Sequence, residues 1–96
     1  MSRALVLNSS DTVAVALASG VDGTDCALEG AKAGTIKLQQ QIPFGHKVAI
    51  RQMAQGEDVI KYGQIIGRAT AAIEVGEHVH IHNVESLRGR GDLAGG

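Results

Sequence analysis

Three copies of one short pattern, apolar-x-x-Gly-x-x-Val, limit what this chain can fold into. They are Ile42…Gly45…Val48, Met53…Gly56…Val59 and Ile73…Gly76…Val79, and the second and third share a glutamate after the glycine, Glu57 and Glu77. Glycine there suits a tight turn with positive φ, and the apolar residues on either side then enter neighbouring strands. Elsewhere the hydrophobic period is 2. Val13, Val15 and Leu17 alternate with small residues, Val48 and Ile50 alternate with Lys47, Ala49 and Arg51, and Val79 and Ile81 alternate with His78, His80 and His82. Each run reads as a half-buried strand. The best helical candidate, Asp25 to Ala33, contains Gly30 and precedes Gly34, so a turn or loop is expected there. Gly63 and Gly67 are expected to break Val59 to Ala69 into short pieces. The fold class that follows is all-β: a folded-over ribbon of short strands and tight glycine turns.

Composition agrees, since 13 glycines in 96 residues is well above the usual share of roughly 7%. It also excludes several functions. Nine Lys/Arg against ten Asp/Glu leave a net charge of −1, and Phe44 and Tyr62 are the only aromatics. Neither a basic stripe nor a base-stacking platform for nucleic acid can be built from these. No apolar stretch approaches the roughly 20 residues of a membrane span. Met1 to Ser10 lacks the long apolar region of a signal peptide. A single cysteine, Cys26, suits a reducing compartment, so a cytoplasmic protein is expected. Its acidic neighbours Asp22, Asp25 and Glu29 do not suit a nucleophilic thiolate, and Cys26 reads as inert. Residues 1–85 read as the folded domain. Residues 86–96, with six Gly or Arg in eleven, read as a flexible tail. The tail holds Arg90-Gly91-Asp92, but adhesion would require an extracellular protein, so a linker or a hook onto a partner chain is the plainer reading.

Chemistry concentrates in three places. His78, His80 and His82 stand at i, i+2 and i+4, so on a strand they share one face while Val79 and Ile81 fill the other. Same-face neighbours lie roughly 6.5–7 Å apart, which lets His78/His80 or His80/His82 converge on one divalent metal. His78 and His82, about 13 Å apart on such a strand, would not do so together. The bland alternative is a solvated edge face. In Gly45-His46-Lys47 the turn glycine places His46 at the start of a strand, where an imidazole can move a proton near neutrality. The Lys47 cation repels a second positive charge, which suits a base, although surface His-Lys pairs are common. In Val59-Ile60-Lys61-Tyr62-Gly63 a lysine and a phenol could clamp a carboxylate. Spacing alone favours the reading in which Tyr62 packs and Lys61 faces water.

Four motifs carry a resemblance. Gly45-His46-Lys47-Val48-Ala49-Ile50, Val59-Ile60-Lys61-Tyr62-Gly63, Ile66-Gly67 and Gly76-Glu77-His78-Val79-His80-Ile81-His82-Asn83 occur in that order. With the opening Asp11 to Ala16 and the closing Glu85 to Asp92, the sequence resembles the N-terminal portion of the altronate/galactarate dehydratase family. That portion is a small SAF-type domain with a β-clip fold.

The resemblance implies a metal-activated lyase that removes water from altronate, galactarate or a similar sugar acid to give a 2-keto-3-deoxy acid. A related branch releases sulfite from sulfolactate. It also implies that a chain this short is a small subunit, inactive alone, working with a large catalytic subunit. The implied cofactor is a divalent metal, iron or manganese. Carried onto this sequence, His78, His80 and His82 are the metal candidates, with His46, His80 and His82 as proton carriers. Lys47, Lys61, Tyr62 and Asn83 are the substrate-binding candidates. Asn83 has the opposite strand parity to the histidines and reaches the site only if a turn begins there. Two other classes stay open at this point. One is a non-catalytic sugar-acid-binding or assembly module. The other is a stand-alone metal-binding protein, and exposed short strand edges leave self-association open as well.

Overall fold

The three repeated glycines Gly45, Gly56 and Gly76 take φ of +81°, +89° and +91°. Each is the third residue of a turn closed by an i+3 N–H to i carbonyl bond: His46 to Pro43 at 3.0 Å, Glu57 to Ala54 at 3.0 Å and Glu77 to Glu74 at 3.1 Å. Positive φ at that position defines a type II turn. Each glycine N–H then docks on an alanine carbonyl of another segment: Gly45 on Ala16, Gly56 on Ala69 and Gly76 on Ala49. All six apolar residues of the repeat are buried. The repeat is thus a set of equivalent corners that fold the ribbon onto itself.

The structure, a computed structural model, describes residues 1–86. Within them the elements are β1 (Ser2–Val6), β2 (Val13–Ala16), β3 (Asp25–Gly30), β4 (Gly34–Lys37), β5 (Lys47–Ala49), β6 (Asp58–Lys61), β7 (Gln64–Ala69), β8 (His78–Val79) and β9 (Val84–Ser86). Six strands form one sheet in the order β4-β3-β1-β2-β5-β8, and three form a second in the order β6-β7-β9. The β1–β3 pair is parallel and every other pair is antiparallel. The architecture is the all-β, β-clip-like small domain that the sequence leads one to expect. Among the described residues no helix is long and apolar enough to cross a membrane.

Two apolar clusters share a wall. Ala14 and Ala16 of β2 and Val48 of β5 face the first, with Val6, Leu38 and Ile42. Val13 and Ala49, from the same two strands, face the second, with Met53, Val59, Ile73 and Val79. The β2–β5 pair is therefore covered on both sides. Small residues suit it because both clusters must approach the same backbone. This departs from the simple alternation read for Val13, Val15 and Leu17: Val13 is fully buried, whereas Val15 and Leu17 are only partly so.

Three other expectations need correction. Asp25–Gly30 is a strand, not a loop, because Cys26 and Leu28 alternate into the first cluster while β1 supplies a five-residue parallel partner. Gly67 does not interrupt β7; it lies inside the strand, where a side chain would collide with the Glu85 carbonyl and Val84 of β9. The His78–His82 run is a strand only at His78–Val79, and residues 80–83 form a turn. As a result Val79 is buried but Ile81, its expected companion, is 84% exposed. The proposed tail falls outside the described residues, apart from Ser86, which ends β9.

Candidate functional site

Pairing of β5 with β8 places Val48 opposite His78 and Lys47 opposite Val79. His46 precedes β5 at the last position of the first glycine turn, and its carbonyl accepts the Ala16 N–H at 2.9 Å. Histidines far apart in sequence thus meet. Nδ1 of His46 lies 2.8 Å from Nε2 of His78, a distance at which one ring donates a proton and the other accepts it. His80 completes the group, its ring 4.8 Å from that of His46 and 5.3 Å from that of His78, nearly parallel to the latter. One ring nitrogen from each of His46, His78 and His80 falls within 4.8 Å of the others.

A short turn aims these rings. Asn83 is 5% exposed, and its side chain is used twice. Its Oδ1 accepts the His80 N–H at 3.0 Å and its Nδ2 donates to the His78 carbonyl at 2.9 Å. The Asn83 N–H also donates to the His80 carbonyl at 3.1 Å. On the other side, the His78 N–H donates to Oε1 of Gln40 at 2.9 Å. Asn83 therefore fixes the histidine hook, with both polar atoms of its side chain committed to that turn. The turn also folds His82 back, so its ring centroid stands 5.5 Å from that of His78, where a continuous strand would separate the two residues by about 13 Å. His82 remains outside the three-nitrogen group.

Crowding shows in the electrostatics. Burial, then the neighbouring His46, His80 and His82, hold the His78 imidazole below its ordinary pKa. Lys47 is likewise lowered, first by burial and then by the charge of Lys61. Both lysines line a groove of about 380 Å³ with His80, Ser86 and the apolar side chains of Ile66, Val79, Ile81 and Val84. His80 thus belongs to both features: it stands in the histidine group and on the groove wall.

Each residue expected from sequence can now be placed. His46, His78 and His80 converge, and Lys47, Lys61 and His80 share the groove. Tyr62 stands apart at the β6–β7 tip, 69% exposed with φ +56°. Sequence reasoning put His46 in a different role from the other histidines, because only the β5–β8 pairing brings it to them. It missed Gln40, for which no local signal exists. It also missed Asp11, an acidic residue that is fully buried.

The imidazole group suits a metal by donor chemistry, since imidazole nitrogens bind iron, zinc, copper and nickel well. These features define a small all-β domain that presents clustered histidines beside a cationic groove. The altronate/galactarate dehydratase SAF domain matches residues 2–87 of this sequence, and the chain belongs to that family. It is 39% identical over 88 residues to the (2R)-sulfolactate sulfo-lyase subunit alpha of Chromohalobacter salexigens, covering 88% of this chain and 94% of that one. It is 42% identical over 80 residues to the altronate dehydratase of Escherichia coli, covering 83% of this chain but 16% of that enzyme. A second (2R)-sulfolactate sulfo-lyase subunit alpha, from Paracoccus pantotrophus, is 49% identical over 53 residues, 55% of this chain and 79% of that one.

Proposed function

We propose that this chain is the small subunit of a metal-dependent lyase acting on a hydroxy acid, and that it completes a site shared with a larger catalytic chain. The observation that carries this reading is a group of three histidines adjoining a groove lined by two lysines, with His80 common to both. Its relatives support it, being either a lyase subunit of nearly the same length or a much longer dehydratase of which the match covers 16%.

The chemistry asked of such a site is β-elimination. A base removes the proton on the carbon next to a carboxylate, and the leaving group departs from the neighbouring carbon. In a dehydration the leaving oxygen takes up a proton and departs as water. Negative charge builds on the carboxylate as the proton leaves, so fixed cations there lower the barrier. Lys47 and Lys61 supply those cations in a groove whose remaining walls are largely apolar. A divalent ion bound by His46, His78 and His80 would add Lewis-acid polarisation of substrate oxygens, and an all-imidazole set suits iron better than manganese. This ligand set takes His46 in place of His82. His82, outside the group, is then the imidazole left to carry a proton. Tyr62 and Asn83 take no part in substrate binding in this reading, since Tyr62 lies away from the groove and the Asn83 amide is committed to the turn.

Loss of water from a sugar acid such as altronate or galactarate is the first substrate reading. Release of sulfite from sulfolactate is the second, favoured by the 94% coverage of a sulfo-lyase subunit. Both begin with the same proton removal, so the same lysines serve either. The test is recovery of the tagged chain from its native host, with identification of what accompanies it and assay on altronate, galactarate and sulfolactate. A large dehydratase-like chain with keto-deoxy acid formed is the expected result, and sulfite from sulfolactate would select the second branch. Recovery alone and without activity would overturn the subunit reading. A complex whose activity does not depend on the histidines or lysines would leave a non-catalytic assembly module.

A further inference from the structure

The tip of the β6–β7 hairpin is held by two residues that lie immediately before β2. Asp11 has no exposed surface, and Thr12 is 3% exposed. Oδ1 of Asp11 accepts the Gly63 N–H at 2.8 Å, and its Oδ2 accepts the Asn8 N–H at 3.1 Å. Thr12 takes both peptide groups of Ile60: its Oγ1 accepts the Ile60 N–H at 3.0 Å, and its own N–H donates to the Ile60 carbonyl at 2.9 Å. The Thr12 carbonyl in turn accepts the Ile50 N–H at 2.9 Å, just beyond β5. One dipeptide therefore ties Ile60 and Gly63 to the end of the strand that carries Lys47.

Between those two anchors stand Lys61 and Tyr62. The β6–β7 register shifts at Val59/Ile60, and Tyr62 adopts φ +56°, an uncommon conformation for a residue with a side chain. A tip with a bulge, a left-handed residue and an exposed tyrosine has little packing of its own to hold it. Lys61 also lines the same groove as Lys47 and its charge acts on that lysine. Two like charges sharing a groove favour its opening. A buried carboxylate that serves only backbone N–H groups is costly unless those bonds are kept, so Asp11 opposes that movement.

We propose that Asp11 is a positioning residue for Lys61, clamping the hairpin tip through Gly63 so that the two lysines present a fixed pair of cations to a substrate carboxylate. The use of that pair rests on the lyase reading above, whereas the clamp itself does not.

The test is Asp11→Ala, with Asp11→Ser in its place if the alanine variant does not fold, because a serine hydroxyl is too short to reach Gly63. In the isolated chain, labelled for NMR, the Lys61 side-chain resonances shift and the Gly63 amide exchanges faster, while Ala4 and Val48 keep their protection. Asp11→Asn, which keeps one acceptor oxygen, recovers part of both effects. In the complex with its large chain, Asp11→Ala raises KM and lowers kcat, with kcat/KM down about tenfold or more, because Lys61 meets both the bound carboxylate and the charge that builds on it. Added to Lys61→Ala it has no further effect on kcat/KM. Unchanged Lys61 resonances and Gly63 exchange would overturn the proposal, as would effects of Asp11→Ala and Lys61→Ala that multiply independently. If Lys61→Ala leaves kcat/KM untouched while Asp11→Ala still moves Lys61, the clamp stands and the carboxylate reading of the groove fails.

Discussion

Nδ1 of His46 lies 2.8 Å from Nε2 of His78, although 32 positions separate the two residues. The contact depends on the first glycine turn, which sets His46 at the start of β5, and on the antiparallel pairing that brings His78 opposite Val48. A metal held here should need both rings and His80. Replacing any one of the three by alanine should weaken Co²⁺ or Fe²⁺ binding by more than the roughly 10–100-fold that loss of an outer supporting partner costs. His82→Ala should change it little. Titration of the four variants with either ion, in competition with a chelator, checks this. Equal losses at His82 would show that the ligand set is misassigned.

Asn83 is predicted to matter more for the site than its buried position suggests. Alanine there removes two part-buried side-chain bonds, one accepted from the His80 N–H and one donated to the His78 carbonyl. The expected cost is about 1–3 kcal/mol of stability. Metal affinity should fall as well, because the turn no longer aims the two rings. Urea unfolding and metal titration on the same variant separate the two effects.

Much of this was legible in the sequence, for identifiable reasons. A tight type II turn requires a residue that accepts positive φ, so Gly45, Gly56 and Gly76 announce themselves. Period-2 patterning marks Val48 and Val79 as buried strand residues. The pattern misleads where a side chain overrides it. His78 to His82 alternates like a strand, yet Asn83 ends the strand by offering its amide to the backbone, as Asn does at turns. β3 was hidden because its partner β1 lies more than twenty residues away, and Gly and Asp around it resemble a loop. The meeting of His46 with His78 depends on strand pairing and carries no local signature.

The three glycine turns should not respond equally to alanine. Gly56 has open space where a side chain would stand, so Gly56→Ala costs only the strain of a left-handed backbone, about 1–2 kcal/mol. At Gly76 the same φ cost is joined by a collision with the Lys37 carbonyl. Gly76→Ala should therefore cost at least about twice as much. Denaturant midpoints of the two variants decide the point, and equal losses would contradict the close approach.

Stability of the metal-free chain should depend on pH through His78. Burial and the three neighbouring histidines disfavour its protonated form in the fold. The unfolded chain then binds a proton that the folded chain does not, in the window between the lowered folded pKa and the ordinary value of 6.5. Stability is full above that window, falls as the pH drops through it and levels off below it. Thermal melts in chelator across this range should show the decline, and His78→Gln should flatten it. A wild-type profile no steeper than that of the variant would contradict the crowding.

The central claim is that this small domain supplies working groups to a lyase site, and one measurement addresses it directly: the turnover of the assembled complex carrying His80→Ala. His80 stands both in the histidine group and on the groove wall. The account predicts that the variant still assembles with its large chain while kcat falls by about 10²-fold or more, the scale expected for losing an electrostatic or proton-transfer group. Turnover within a few-fold of wild type in an intact complex would contradict it.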